Sequence, residues 1–154
     1  MTAVVERAFS LEQVREELIA ASQFAGAAGI DLDASGLSDE YLKFRVTFVS
    51  RAGERFFAEF DCSDYPVLPP LIEFTDESRA TRGLHRHYPN VFHNAPCVCM
   101  RYSRKAYGER GGPHQEWRML DWHLATPGGG PIRSLAEIVS DMHAKILDAT
   151  GRLG

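Results

Sequence analysis

The apolar residues of this chain follow two rhythms, with a long stretch between them that follows neither. Residues 10–25, SLEQVREELIAASQFA, place Leu11, Val14, Leu18, Ile19, Ala21, Ser22 and Ala25 at the spacing of one helix face. Ser10 with Gln13 three residues on predicts a capping box at its start. The following GIDLDASGLSDE reads as a linker of Gly, Asp and Ser.

From Tyr41 the period drops to two. In YLKFRVTFV (41–49), Leu42, Phe44, Val46 and Phe48 fall on one side, and Lys43, Arg45 and Thr47 on the other. That is the pattern of a half-buried strand. SRAGER predicts a turn. RFFAEFDC (55–62) predicts a second strand, with Phe56, Ala58, Phe60 and Cys62 on one face, so the two form a hairpin. DYPVLPP holds three prolines and cannot continue a central strand. LIEFT (71–75) predicts a third strand.

Alternation then stops for some sixty residues, a stretch rich in proline, glycine and histidine that ends at GGGP (128–131). A helical rhythm returns in SLAEIVSDMHAKILDA (134–149). Its apolar face is Leu135, Ile138, Val139, Met142, Ile146 and Leu147, with Ser134 and Glu137 as a second capping box and Gly151 as a stop. Helices segregated from antiparallel strands predict an α+β fold in a single domain spanning 1–154. Irregular segments this long inside a compact domain are usually functional.

Composition narrows the class. With 44% apolar and 25% charged residues the chain is neither disordered nor fibrous. No stretch approaches the ~18 apolar residues of a membrane span. MTAVVERAFS lacks the marks of a signal peptide. Three cysteines are too few for a disulfide scaffold, which predicts a reducing, cytoplasmic compartment. The net charge of -4 argues against nucleic acid as a partner. Its distribution is uneven, however. Arg79, Arg82, Arg86, Arg101, Arg104, Lys105 and Arg110 face only Glu109 across 79–110, so that window is +6 and the remainder -10. By charge alone the window reads as a solvated basic loop.

The irregular stretch also concentrates reactive side chains, from His85 to Met100. His85, His87, His93, Cys97 and Cys99 are all competent zinc ligands, although Cys-x-Cys is tighter than the usual structural-zinc knuckle. Alternatively, one cysteine is a nucleophilic thiolate favoured by neighbouring cations, with Asn90 or a backbone amide polarising a carbonyl. A third reading makes Cys97, Val98 and Cys99 a short buried strand.

The order of motifs resembles the catalytic core of ubiquitin-conjugating enzymes. Tyr65-Pro66-Val67-Leu68-Pro69-Pro70 is similar to that family's Tyr-Pro-x-x-Pro-Pro and precedes a strand in the same way. His87-Tyr88-Pro89-Asn90 resembles its His-Pro-Asn turn, with one residue more, and Val98-Cys99-Met100 its cysteine context. Trp122, Ile132 and the helix from Ser134 resemble the family's tryptophan segment and following helix. The resemblance spans roughly 10–150. The Tyr-Pro spacing is unlike that of the related non-catalytic RWD domains, which also lack the cysteine. Two departures stand out. Cys97 and Cys99 follow Asn90 by seven and nine residues, on either side of the family's spacing, and Cys99 has the better flanks. Trp122 follows Cys99 by 23 residues, which marks an inserted segment at about 101–121.

The resemblance implies a UBC-like fold, an antiparallel meander packed with an N-terminal and a C-terminal helix. It implies a transferase with no cofactor and no metal, which takes a ubiquitin-like protein from an activating enzyme as a cysteine thioester and passes it to a lysine of a protein substrate. Cys99 would be the nucleophile, with Cys97 kept open, and Asn90 would stabilise the oxyanion or shape its loop. The family's acidic residue near the cysteine has no motif match here; Glu109, Glu116 and Asp121 are the candidates. The first helix, with Arg15 on its exposed face, would meet the activating enzyme or a ligase. The divergence resembles members of bacterial conjugation operons, which implies a metallo-isopeptidase in the same pathway and a role in defence against phage. A binding module of the same fold without activity, and a small zinc protein, are the alternatives. Cys62, Trp117 and Trp122 read as packing residues, His123 and His143 as surface or core histidines, and the terminal GRLG as a frayed tail.

Overall fold

The structure, a computed structural model, describes residues 4–93, 96–124 and 134–154. It is α+β: helix α1 (Arg7–Ala28), strands β1 (Asp31–Asp33), β2 (Lys43–Val49), β3 (Arg55–Asp61) and β4 (Leu71–Thr75), then helix α2 (Leu135–Ile146). The strands form one antiparallel sheet in sequence order, β1-β2-β3-β4. The hairpin sets Phe44 opposite Phe60 and Phe48 opposite Phe56, and the rings of the first pair stack 4.7 Å apart. Both helices lie over the apolar face: α1 packs along α2, and α2 against β2.

The strand periodicity holds as read, since Leu42, Phe44, Val46, Phe48, Phe56, Ala58, Phe60 and Cys62 are all buried. The supposed linker contributes an edge strand, β1, which pairs Asp31–Asp33 with Arg45–Thr47. Three residues of Asp-Leu-Asp carry no readable alternation. GGGP (128–131) and Ile132 lie outside the described residues.

Two helix-end expectations and one helix face need correction. Helix α1 begins a turn earlier, at Arg7 after Glu6, so Ser10 does not cap it. Ser10 is instead buried, and its hydroxyl donates to the Tyr65 carbonyl at 2.7 Å. The apolar face of α1 is also narrower than the spacing implied: Val14, Leu18, Ala21 and Ala25 are buried, while Ile19 and Ser22 face solvent. The helix stops at Gly29, whose left-handed φ of 73° lets its N–H reach the Ala25 and Gly26 carbonyls. At α2, Ser134 does accept from the Glu137 N–H, at 3.2 Å, but the helix ends at Ile146, short of Gly151.

The terminal residues are not frayed. Leu153 N–H donates to the Tyr88 carbonyl at 3.0 Å, Arg152 pairs with Glu54 at 2.9 Å, and the Arg152 guanidinium lies 4.5 Å from the Phe56 ring centre. The tail is held because it supplies partners to a turn that has no strand beside it.

The irregular stretch is folded into the core. Tyr88, Val98, Tyr102, Tyr107, Met119 and Trp122 are buried with the strand side chains. Single turns of 3-10 helix at His85–His87, Arg104–Ala106, Gly108–Arg110 and Met119–Asp121 carry the chain between them. Nor is the basic window a solvated loop. Arg82 pairs with Glu59, and Lys105 with Glu73 at 2.8 Å, on the outer face of the sheet. Glu59 and Glu73 sit opposite each other across β3 and β4, an unfavourable like-charged pair that these cations and Lys43 offset. Arg104 is buried and donates to the carbonyls of Pro69 and Ser63.

Candidate functional site

The site is built on two turns and the segment between them. The proline connection comes first. Tyr65 is buried, with its hydroxyl on the Glu17 carboxylate, and Glu17 also accepts from the Leu135 N–H at 2.9 Å. One carboxylate thus ties α1, the proline turn and the start of α2 together. The carbonyls of this turn then hold the inserted segment. Pro66 accepts from Trp122 Nε1 at 3.1 Å and lies 2.9 Å from His123 Nε2, and Pro70 accepts from the Arg104 N–H at 3.0 Å. Proline cannot extend a ladder through its nitrogen, but its carbonyl remains available to such donors. Trp122 is a packing anchor, as its type suggests. Glu17 and Arg104 were not singled out from the sequence, where neither belongs to a motif.

The second turn is His87–Asn90. His87 is buried, and its ring is engaged at both nitrogens: Nδ1 accepts from the Leu84 N–H at 3.3 Å, and Nε2 lies 2.9 Å from Thr81 Oγ1. Burial, with Arg86 and Arg152 nearby, pulls its pKa down. Asn90 is exposed and its amide is paired reciprocally with Thr150: Nδ2 donates to Oγ1 at 2.9 Å and Oδ1 accepts from N–H at 3.0 Å. Its backbone N–H reaches the Gly151 carbonyl at 2.9 Å. Among the described residues no hydrogen bond joins Asn90 to Cys97 or Cys99. Thr150 is a partner that no motif signalled.

The three cysteines differ sharply in setting. Cys62 is fully buried on the sheet, and burial drives its thiol pKa far up. Cys97 is 4% exposed, and its backbone pairs with His93 in both directions, at 3.1 and 3.2 Å. Cys99 is half-buried. Its pKa is raised by burial, with the nearby Cys97 thiol acting in the opposite direction. Burial, and after it the nearby Cys99 thiol, raises the Cys97 pKa strongly. A cavity of about 350 Å³ runs beside Cys97, lined also by Lys105, Arg110 and Gly112. Another of about 340 Å³ lies on the outer sheet face among Asp33, Tyr41, Arg45 and Arg79, without a cysteine.

The acidic candidates sit in pairs of their own: Glu116 with His114 at 3.1 Å, Asp121 with Arg118 at 3.6 Å, and Glu109 in an exposed 3-10 turn. His114 also stacks on Trp117 at 3.6 Å, with Arg101 over the same indole. No group of three or more His, Cys, Asp or Glu among the described residues is arranged to hold a metal ion. No described helix is long and apolar enough to cross a membrane. Arg15 is exposed on α1. Searches against protein-family models, curated proteins and solved structures return no match for this chain.

Proposed function

We propose that this chain is a conjugating enzyme for a ubiquitin-like protein, with a UBC-like fold and Cys99 as its thioester-forming nucleophile. The observation that carries the reading is the contrast among the cysteines. Cys99 alone of the three is not buried, so it is the thiol an incoming thioester can reach. The element order, a helix, three strands, the proline turn, a fourth strand, the Asn90 turn, the cysteine, the tryptophan and a helix, is in line with the order the resemblance implies.

The Cys99 thiolate attacks the carbonyl carbon of the thioester on the activating enzyme, and that enzyme's thiolate leaves. A substrate amine then attacks the new thioester. The C–N bond forms, the C–S bond breaks, the Cys99 thiolate departs and the amine loses its proton. The Asn90 contacts with Thr150 support the loop-shaping role implied for that residue. They use one of its two amide N–H groups, and the second, which makes no hydrogen bond among the described residues, would serve an oxyanion. The expected partners are the ubiquitin-like protein, its activating enzyme and a protein substrate, with a metallo-isopeptidase in the same pathway.

A second reading is favoured by the raised thiol pKa and the engaged amide: a binding module of this fold without activity. Trapping separates the two. Wild type, Cys62→Ala, Cys97→Ala and Cys99→Ala are mixed with activating enzyme, ATP and the ubiquitin-like protein, and run on gels with and without reductant. A thiol-sensitive adduct lost only in Cys99→Ala is expected. Loss only in Cys97→Ala moves the nucleophile. No adduct in wild type, beside a charged activating enzyme, leaves the binding module.

A further inference from the structure

Cys97 and Cys99 form a pair that the conjugation chemistry does not need. One catalytic thiol suffices, yet a second stands two residues before it. Two residues of chain span at most ~7 Å, and a disulfide requires Cα atoms roughly 4.4–6.8 Å apart. The spacing therefore keeps the pair close to that range, and a bend in the backbone brings it within. The backbone bends here too, with the Met100 N–H on the Val98 carbonyl at 2.9 Å.

The surroundings divide the labour. Cys99 is only half-buried while Cys97 and Cys62 are buried, so it is the sulfur a small oxidant meets. Cys97 is hidden from bulk solvent but shares its cavity with Lys105 and Arg110. Lys105 is paired with Glu73, whereas the Arg110 guanidinium makes no ion pair among the described residues. Cations beside a thiol favour its ionised form at the moment it must act as a nucleophile. Cys62, fully buried on the sheet, is an internal reference that should stay reduced.

We propose that Cys97 and Cys99 are a peroxide-sensitive modification site, in which Cys99 is oxidised first and Cys97 closes an intramolecular disulfide onto it. The Cys99 thiolate attacks one oxygen of hydrogen peroxide. The S–O bond forms, the O–O bond breaks and hydroxide leaves, giving a sulfenic acid. The Cys97 sulfur then attacks that sulfur. The S–S bond forms, the S–O bond breaks, and the departing hydroxide takes up the Cys97 proton as water. Two thiols lose two electrons and peroxide is reduced to two waters. A Cys-x-Cys bridge closes a small, strained ring at a partly exposed position, the kind of disulfide that is readily reduced and suited to regulation. Resting on the proposed function, the bridge would consume the thioester-forming sulfur and switch conjugation off until reductant restores it.

The test uses the full chain, reduced and then freed of reductant, with stoichiometric hydrogen peroxide followed by alkylation and intact-mass analysis. Wild type is expected to fall from three alkylated cysteines to one. Cys62→Ser should still form the bridge. Cys97→Ser should accumulate a dimedone-reactive Cys99 and form no bridge. The proposal is overturned if wild type keeps three alkylatable thiols, if wild type and Cys97→Ser trap dimedone equally, or if the bridge involves Cys62 or a second chain. No activating enzyme is needed, so this result is independent of the trapping assay. A bridge in a chain that never takes up a ubiquitin-like protein would leave the modification standing and remove only the proposed function. Undiminished thioester formation by bridged protein would overturn the regulatory half.

Discussion

The meander and the irregular stretch that follows it reach the same core by different means. Strands β2, β3 and β4 contribute Phe44, Phe48, Phe56, Phe60 and Phe74, aromatic rings without a polar atom. Residues 76–124 contribute Tyr88, Tyr102, Tyr107 and Trp122. Three of those spend their polar end on a partner: Tyr102 on Asp141, Tyr107 on the Arg101 carbonyl, and Trp122 on the Pro66 carbonyl. The difference follows from the backbone. In the sheet the ladder satisfies the peptide groups, so the side chains can be wholly apolar. Without a ladder, carbonyls must find donors elsewhere, and amphipathic aromatics and buried Arg104 deliver them along with their apolar bulk.

The contrast predicts a graded response to substitution. Phe60→Ala removes a fully buried ring stacked on Phe44 and should cost about 3–5 kcal/mol, read as a lower midpoint in chemical denaturation. A loss below about 1 kcal/mol would mean the sheet repacks freely. In the irregular half the sensitive point is backbone. A Cβ on Gly112 would sit 2.1 Å from the Lys105 carbonyl oxygen. Gly112→Ala should therefore cost on the order of 1–3 kcal/mol by overpacking, and change the alkylation rate of Cys97 across the shared cavity. Unchanged stability would show that the inserted loop is not braced as described.

The smallest effect is a pH slope at His87. Burial, with Arg86 and Arg152 nearby, holds the ring neutral in the folded state and its pKa below the usual 6.5, while Nδ1 accepts from the Leu84 N–H. The unfolded chain thus binds the proton more readily, and stability is lost as pH falls below about 6.5. Asp76 opposes the shift and Arg86 and Arg152 support it. Denaturation midpoints from pH 7 to 5 should fall more steeply for wild type than for His87→Gln. Equal slopes would place the ring outside this linkage.

Legibility followed the same division. Period-two alternation located β2, β3 and β4, and period 3.6 located both helices, because a residue's face in a regular element follows from its position alone. Edge strand β1 was too short to alternate, and Ser10 resembled a cap only because its true partner, the Tyr65 carbonyl, lies 55 residues away. At the site, Cys97, Cys99 and Asn90 stood out by type and spacing. Their division into a buried thiol, a half-exposed thiol and an amide paired to Thr150 did not.

By itself, then, the order of residues determined the α+β class, the inward face of each strand, the proline turn and the cluster of reactive side chains. Only the tertiary structure decided that the basic window neutralises Glu59 and Glu73, that the last residues brace the Asn90 turn, and which cysteine faces solvent. Those outcomes depend on contacts between segments far apart in the chain. A peptide carbonyl or a carboxylate left without a partner by one segment is completed by whichever donor the fold brings beside it, and no local pattern records that choice.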